Sequence, residues 1–368
     1  MLYTLFDYLY SHIHSLSFMR LFTYITFRAI LAAITAFLLS LLFGPPIIRM
    51  LKKRRIKDIA WNYGVVDVQA KDGTPTMGGL LILFSIGVAS LLWCDLSNRF
   101  VHILFGAFVW FGGMGALDDY LKSHRNSKEG LKEHYKYALQ LGFGVILSIL
   151  YLHPSLTPVD PNFATELHLP FLKTPIANLG MYYSLLILFT ITAISNSVNL
   201  ADGLDGLAIV PSFLIAGVYA IFAYVIGNIL LSSHFLFRYL PGSGEIAVFC
   251  GSIFGAGIGF LWFNAYPALI FMGDIGSLSL GGMLGTIAVL IKQEFLFIIA
   301  GGIFVAEAAS VLIQKYIYIP FVGRRLFYRT PLHHTFQHRG YAETKVVIRF
   351  WIVSAIFALI SLAALKIR

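Results

Sequence analysis

The chain has 368 residues, of which 58% are hydrophobic and only 12% charged, with a mean hydropathy of +0.78. A soluble domain carries about 25% charged residues, and apolar runs of about 20 residues recur along the whole sequence, more than any soluble core could bury. A soluble protein of two or three domains is therefore excluded, and the net charge of +9, spread over separate loops, argues against nucleic acid as a partner.

The N-terminal residues lack the short apolar core and small-residue cleavage site of a signal peptide, so no segment is expected to be removed. Ten membrane helices are expected, at approximately 22–50, 76–94, 100–117, 137–152, 181–198, 207–227, 246–263, 275–291, 296–314 and 346–365. They are apolar all round and longer than the alternating segments of a β-barrel. The fold class is thus an all-α polytopic membrane protein, with residues 1–368 forming one integral-membrane domain. Cys94 and Cys250 fit neither a metal pattern nor a disulfide framework and read as packing residues.

Ten spans put both termini on one side of the membrane. The loops 51–75, 118–136, 199–206, 264–274 and 315–345 together hold 17 Lys and Arg, against 7 in the opposite set and three within spans. The richer set is therefore cytoplasmic and both termini are periplasmic. The run "KKRR" at 52–55 is first a topology signal of this kind. The outward segment 153–180 is rich in proline and is expected to form a small hairpin or cap. Glu307, the clear acid within a span, reads as a structural residue.

The other notable acids gather on one face. Asp118 and Asp119 ("GALDDYLK") close the third span, Asp202 and Asp205 ("VNLADGLDGLA") follow the fifth, and Asp274 opens the eighth, all on the cytoplasmic side. One aspartate at a helix end reads as a cap, but five converging from three separate loops read as a functional cluster. An unpaired charge at the centre of a membrane helix costs about 2.5–3.5 kcal/mol, and loops 199–206 and 264–274 carry no cation. A divalent metal or a hydrogen-bonded ligand is the expected compensation. Hard oxygen donors without His/Cys pairing favour Mg²⁺ over Zn²⁺. No EF-hand loop, P-loop or G-x-G-x-x-G is present.

Two further cytoplasmic segments supply polar partners. "KDGTPTMGG" places Lys71, Thr74 and Thr76 at the mouth of the second span, and "TPLHHTFQHRGYAE" supplies His333, His334, His338 and Arg339. Lys122, Arg125, Lys128, Lys132 and Lys136 flank the aspartate pair, where charge bias between loops is the plainer explanation. Metal, carboxylates, histidines and lysines at a membrane surface suit a diphosphate substrate and a lipid acceptor, and so phosphoryl transfer.

The motifs "TFRAI", "GTPTMGG", "DDYLK", "NSVNLADGLDGLA", "GFLWFNAYPALIFMGDIGSLSLGG" and "PLHH…VVIRFW" resemble the polyprenyl-phosphate N-acetylhexosamine-1-phosphate transferases, from about residue 20 to the C-terminus. Within that family they look like the branch acting on muramoyl-pentapeptide. The resemblance implies transfer of phospho-MurNAc-pentapeptide from UDP-MurNAc-pentapeptide to undecaprenyl phosphate, giving lipid I and UMP with Mg²⁺. It also implies a homodimer with a cytoplasmic cleft in the bacterial inner membrane. By the same resemblance Asp274 is the metal ligand, Asp118 and Asp119 the aspartate pair, and His333 a further catalytic residue. Consecutive helical positions diverge by about 100°, so Asp118 is assigned to the chemistry and Asp119 to support. Lys71, Thr76, Lys122, Lys136, Asn199, Asp202, Asp205, Asn264, Phe271, Gln314 and His334 match substrate-cleft positions, with Phe271 placed to stack on uracil. Two residues depart from the pattern: Thr335 stands at a third consecutive histidine, and Asn126 at a frequent lysine. The alternatives are a GlcNAc-1-phosphate transferase of the same family and, from another class, a membrane transporter.

Overall fold

The computed structural model describes residues 1–12, 14–54, 73–125 and 130–367. The principal helices are α1 (Leu2–His12), α2 (Ile25–Lys53), α3 (Gly79–Trp93), α4 (Arg99–Arg125), α5 (Glu133–Leu152), α6 (Tyr183–Ala201) and α7 (Ile209–Ile226). They continue with α8 (Gly244–Asn264), α9 (Gly273–Leu290), α10 (Gly302–Leu312), α11 (Leu332–His338) and α12 (Glu343–Ala363). Among the described residues nine helices are long and apolar enough to cross a membrane, and α3 is a shorter apolar tenth. The chain is an all-α polytopic membrane protein. Lys71 and Asn126 lie outside the described residues.

The ninth span departs from its expected limits of 296–314. A short helix at Leu296–Ala300 stops at Gly301, and the crossing segment is Gly302–Val322, running on through a wider turn at Ile313–Tyr318. The apolar stretch "YIYIPFV" after Gln314 and Lys315 sustains the helix past the expected end at 314. Helix α1 was not among the expected spans. It lies against the bundle, with Phe6 stacked on Phe22 and the Tyr3 ring over the Arg28 guanidinium.

Helix α9 is the axis of the bundle: 89% of its most apolar window is buried. Small residues make this possible. Its first turn is held between α3 and α4, where a side chain at Gly79 would come within 2.2 Å of the Gly276 nitrogen and one at Gly115 within 2.5 Å of the Asp274 carbonyl. Backbones approach this closely only through small residues, and dispersion then does the work that the hydrophobic effect does in water. The same device joins α8 to α2, whose Gly251, Gly255 and Gly259 face the Ala29 and Ala33 carbonyls and the Ser40 side chain. Near the same end of that seam as α1, Arg28 forms a buried two-pronged ion pair with Glu245, which also accepts the Asp95 N–H.

The 18 residues of α9 rise roughly 27 Å, so its first and last turns lie at opposite ends of the bundle. Asp274 opens it and Lys292 follows its end. At the Lys292 end, segment 153–180 carries a two-stranded antiparallel ladder pairing Glu166 with Asn178 and Leu167 with Ala177. Lys292, in a left-handed backbone conformation, is buried beneath it: its Nζ donates to the Ala164 carbonyl at 2.8 Å and sits 3.5 Å from the Tyr183 ring centre. Burial pulls the Lys292 ammonium down to a pKa of about 8, against the opposing pull of Glu294 and Glu166. The unfolded chain keeps this proton up to the ordinary lysine value of 10.5, so it binds more protons than the folded one between the two. Stability contributed here must therefore rise as pH increases through that window. Thermal melts in detergent from pH 8 to 10 are expected to show a rising Lys292 contribution, and Lys292→Met to lose that rise. A variant with the same pH slope as the parent would contradict the assignment.

Candidate active site

The site is built where the ends of α4 and α6 meet the starts of α5 and α9. Asp118 and Asp119 occupy the last turns of α4 and are both buried. They point to different tasks. Asp119 accepts the Asp274 N–H at 3.1 Å and the Ile275 N–H at 3.0 Å, so both its oxygens satisfy the first turn of α9. These are orphan donors in any helix, and a carboxylate is well matched to that positive end. Asp118 accepts the Leu131 N–H at 2.7 Å through one oxygen and faces two ammonium groups with the other, Lys122 Nζ at 2.8 Å and Lys136 Nζ at 3.0 Å.

The same lysines reach Asp274, whose Oδ2 lies 3.0 Å from Lys122 Nζ and 2.7 Å from Lys136 Nζ. Its Oδ1 accepts from Asn199 Nδ2 at 3.0 Å, and Asn199 also donates to Ser277 Oγ. Lys122, four residues after Asp118, and Lys136, from the start of α5, thus bridge two carboxylates that are 156 positions apart in sequence. One oxygen from each of Asp118, Asp119 and Asp274 falls within 4.8 Å of the others. This is an all-oxygen donor set, able to hold a hard divalent cation.

Asp202 and Asp205 are not members of that trio. Asp202 caps the end of α6 with its N–H on the Asn199 carbonyl. Asp205 is buried, accepts the Ala268 N–H at 3.1 Å, and donates its own N–H to Glu343 at 3.1 Å. Asn264 uses its oxygen on the Gly206 N–H and its nitrogen on the Ile270 carbonyl. Together these contacts fasten the turn 202–206 to the loop 264–272, so Asp205 and Asn264 act here as its internal braces. Phe271 is half-buried and its backbone pairs with Pro75 and Gly78. That pairing brings segment 74–78 beside the start of α9, with Thr76 Oγ1 close to Gly273.

A second group lies on the far side of that turn. His333, at the start of α11, is buried, and its Nδ1 lies 3.3 Å from Glu307 Oε2. His334 is half-buried, with Nδ1 3.0 Å from Gln337 Oε1; burial first, and then the neighbouring His333, hold its pKa below the usual imidazole value. Gln314 accepts the Phe327 N–H at 2.8 Å and so braces the segment leading to α11. Thr335 does the same from inside α11, bonding both the N–H and the carbonyl of Arg329. A histidine there would have no equivalent hydroxyl. The residues that sequence reading did not single out are Ser277 and Glu343, and nothing in their spacing marked them.

Comparison with known proteins places this geometry in a wider setting. Residues 101–292 match the profile of glycosyl transferase family 4, and residues 71–83 match phospho-N-acetylmuramoyl-pentapeptide-transferase signature 1. The chain is 47% identical to the phospho-N-acetylmuramoyl-pentapeptide-transferase of Desulforapulum autotrophicum over 365 residues, which cover 99% of this chain and 100% of that one. It is 46% identical over 368 residues to the protein of the same name from Desulfosudis oleivorans, with both chains covered in full. The Desulfotalea psychrophila counterpart is 46% identical over 350 residues, covering 95% of this chain and 96% of that one.

Proposed function

The chain belongs to the phospho-N-acetylmuramoyl-pentapeptide transferases, and from that premise we propose how its residues carry the transfer. The donor is UDP-MurNAc-pentapeptide and the acceptor undecaprenyl phosphate. An oxygen of the lipid phosphate bonds to the β-phosphorus of the donor while the bond from that phosphorus to the departing UMP breaks, leaving lipid I. The observation that carries the reading is the bridging of Asp118 and Asp274 by Lys122 and Lys136 at one end of the bundle.

In this reading Asp274 would hold Mg²⁺ within the trio of carboxylates. The bound ion supplies charge neutralisation for the diphosphate. Lys122 and Lys136 provide further positive charge where phosphoryl oxygens become more negative, in a fixed arrangement that needs little reorganisation. Asp118 takes the proton of the lipid phosphate, and Asp119 holds the first turn of α9 so that Asp274 stays in place. Asn199 fixes the Asp274 carboxylate. Phe271 serves the uracil and Thr76, Asp202, Lys71 and Gln314 the rest of the nucleotide–sugar cleft. His333 and His334 serve the phosphate or nucleoside end beyond the turn 202–206. The excess of Lys and Arg in the loops at this end supports a cytoplasmic location, where a soluble nucleotide donor is available. The family resemblance supports residence in the bacterial cytoplasmic membrane as a homodimer.

Purified protein in detergent with undecaprenyl phosphate and Mg²⁺ is expected to release UMP from UDP-MurNAc-pentapeptide and not from UDP-GlcNAc. Release from UDP-GlcNAc alone would move the chain to the other branch of the family.

A further inference from the structure

Glu307 is fully buried within α10, near the start of the span Gly302–Val322, where an uncompensated carboxylate is costly. Among the described residues both oxygens of its carboxylate meet His333. Oε1 accepts the backbone N–H of His333 at 3.2 Å, and Oε2 faces His333 Nδ1 at 3.3 Å. Among the described residues His333 is its ion partner.

The imidazole is confined from its other edge as well. A side chain on Gly203 would lie 2.4 Å from His333 Nε2, so the ring occupies the space that the absence of a Cβ leaves in the turn 202–206. This close approach is the physical use of that glycine. Both ring nitrogens of His333 and Glu307 Oε2 are buried without a hydrogen-bond partner among the described residues, so the 3.3 Å approach of Nδ1 to Oε2 is a charge contact and Nε2 is left facing Gly203. The turn it faces continues directly into Asn199, which holds Asp274.

We infer that Glu307 is a positioning residue, whose carboxylate fixes the His333 ring with Nδ1 toward α10 and Nε2 against the turn 202–206. The inference rests on the reading above that His333 takes part in the reaction. Glu307 itself is fully shielded and touches no substrate. Carboxylate partners of this kind orient an imidazole and set which of its nitrogens is available.

The test uses the full chain in detergent and four variants: Glu307→Gln, Glu307→Asp, His333→Ala and the double variant Glu307→Gln/His333→Ala. Glutamine keeps the volume and the acceptor for the His333 N–H but removes the charge facing the ring. The expected result is a fall in kcat of about 10–100-fold for Glu307→Gln, with KM for both substrates within about twofold and an unchanged gel-filtration profile. The double variant is expected to be no slower than His333→Ala alone, because the acid acts only through the ring. Glu307→Asp keeps the charge further from the ring and is expected to be intermediate, and it carries the test if the glutamine variant does not fold. A Glu307→Gln enzyme with parental kcat, a Glu307→Asp enzyme with parental kcat, or losses that multiply in the double variant would overturn the inference. Parental turnover in His333→Ala would instead remove the reading of His333, and this inference with it.

Discussion

Asp274→Asn is expected to lower kcat by about 10³-fold while the protein stays folded. Asparagine keeps the side-chain volume, and its carbonyl oxygen still accepts from Asn199 Nδ2, so the link between α6 and α9 survives. What it loses is the negative charge that Lys122 and Lys136 share with Asp118. One of three carboxylates within 4.8 Å of one another then becomes neutral, and the affinity for a hard divalent cation falls with it. Two readouts check this: UMP release, and Mn²⁺ binding followed by electron paramagnetic resonance. Near-parental turnover in the folded variant would remove Asp274 from the metal role.

Asp118→Asn is expected to lower kcat by about 10²–10⁴-fold, the range for loss of a general base. The Leu131 N–H keeps an acceptor, since an amide oxygen can replace Oδ1. The atom that faces Lys122 and Lys136 loses both its charge and its capacity to take a proton. Asp119→Asn provides the contrast. Both Asp119 oxygens accept N–H groups of α9, so an amide NH₂ would meet a donor, and the loss should appear first in the melting temperature. Normal turnover in Asp118→Asn, together with a stable but inactive Asp119→Asn, would exchange the two roles.

Much of this architecture was legible in the sequence because membrane helices announce themselves by length and hydropathy. The spans placed Asp118, Asp119 and Asp274 at helix ends on one side, and the trio gathers there. Parity of the loops tells which ends share a face, but it does not tell which side chains touch. Asp205 and Asn264 sit in the expected loops, yet their polar atoms reach backbone groups about 60 residues away and hold loop to loop. Glu307 read as a structural acid because its partner, 26 residues on, belongs to a short helix that no periodicity marked. The ninth span runs on past its expected end at 314, and Gln314 Oε1 accepts the Phe327 N–H from the segment beyond.

The bridged carboxylates also bear on Lys122 and Lys136. Charge bias alone did not separate them from the other cations of loop 118–136; only the family resemblance marked them as cleft positions. In the structure each contacts both Asp118 and Asp274 within 3.0 Å. Their positive charge therefore belongs to the acidic cluster and not merely to the membrane surface.

The central claim is that this cluster performs metal-assisted phosphoryl transfer from nucleotide donor to lipid acceptor. It is tested most directly by UMP release from UDP-MurNAc-pentapeptide, measured with undecaprenyl phosphate in the presence of Mg²⁺ and after chelation. Sustained release with Mg²⁺, its loss on chelation and its return when Mg²⁺ is restored are expected. Undiminished release in the chelated sample would contradict the account.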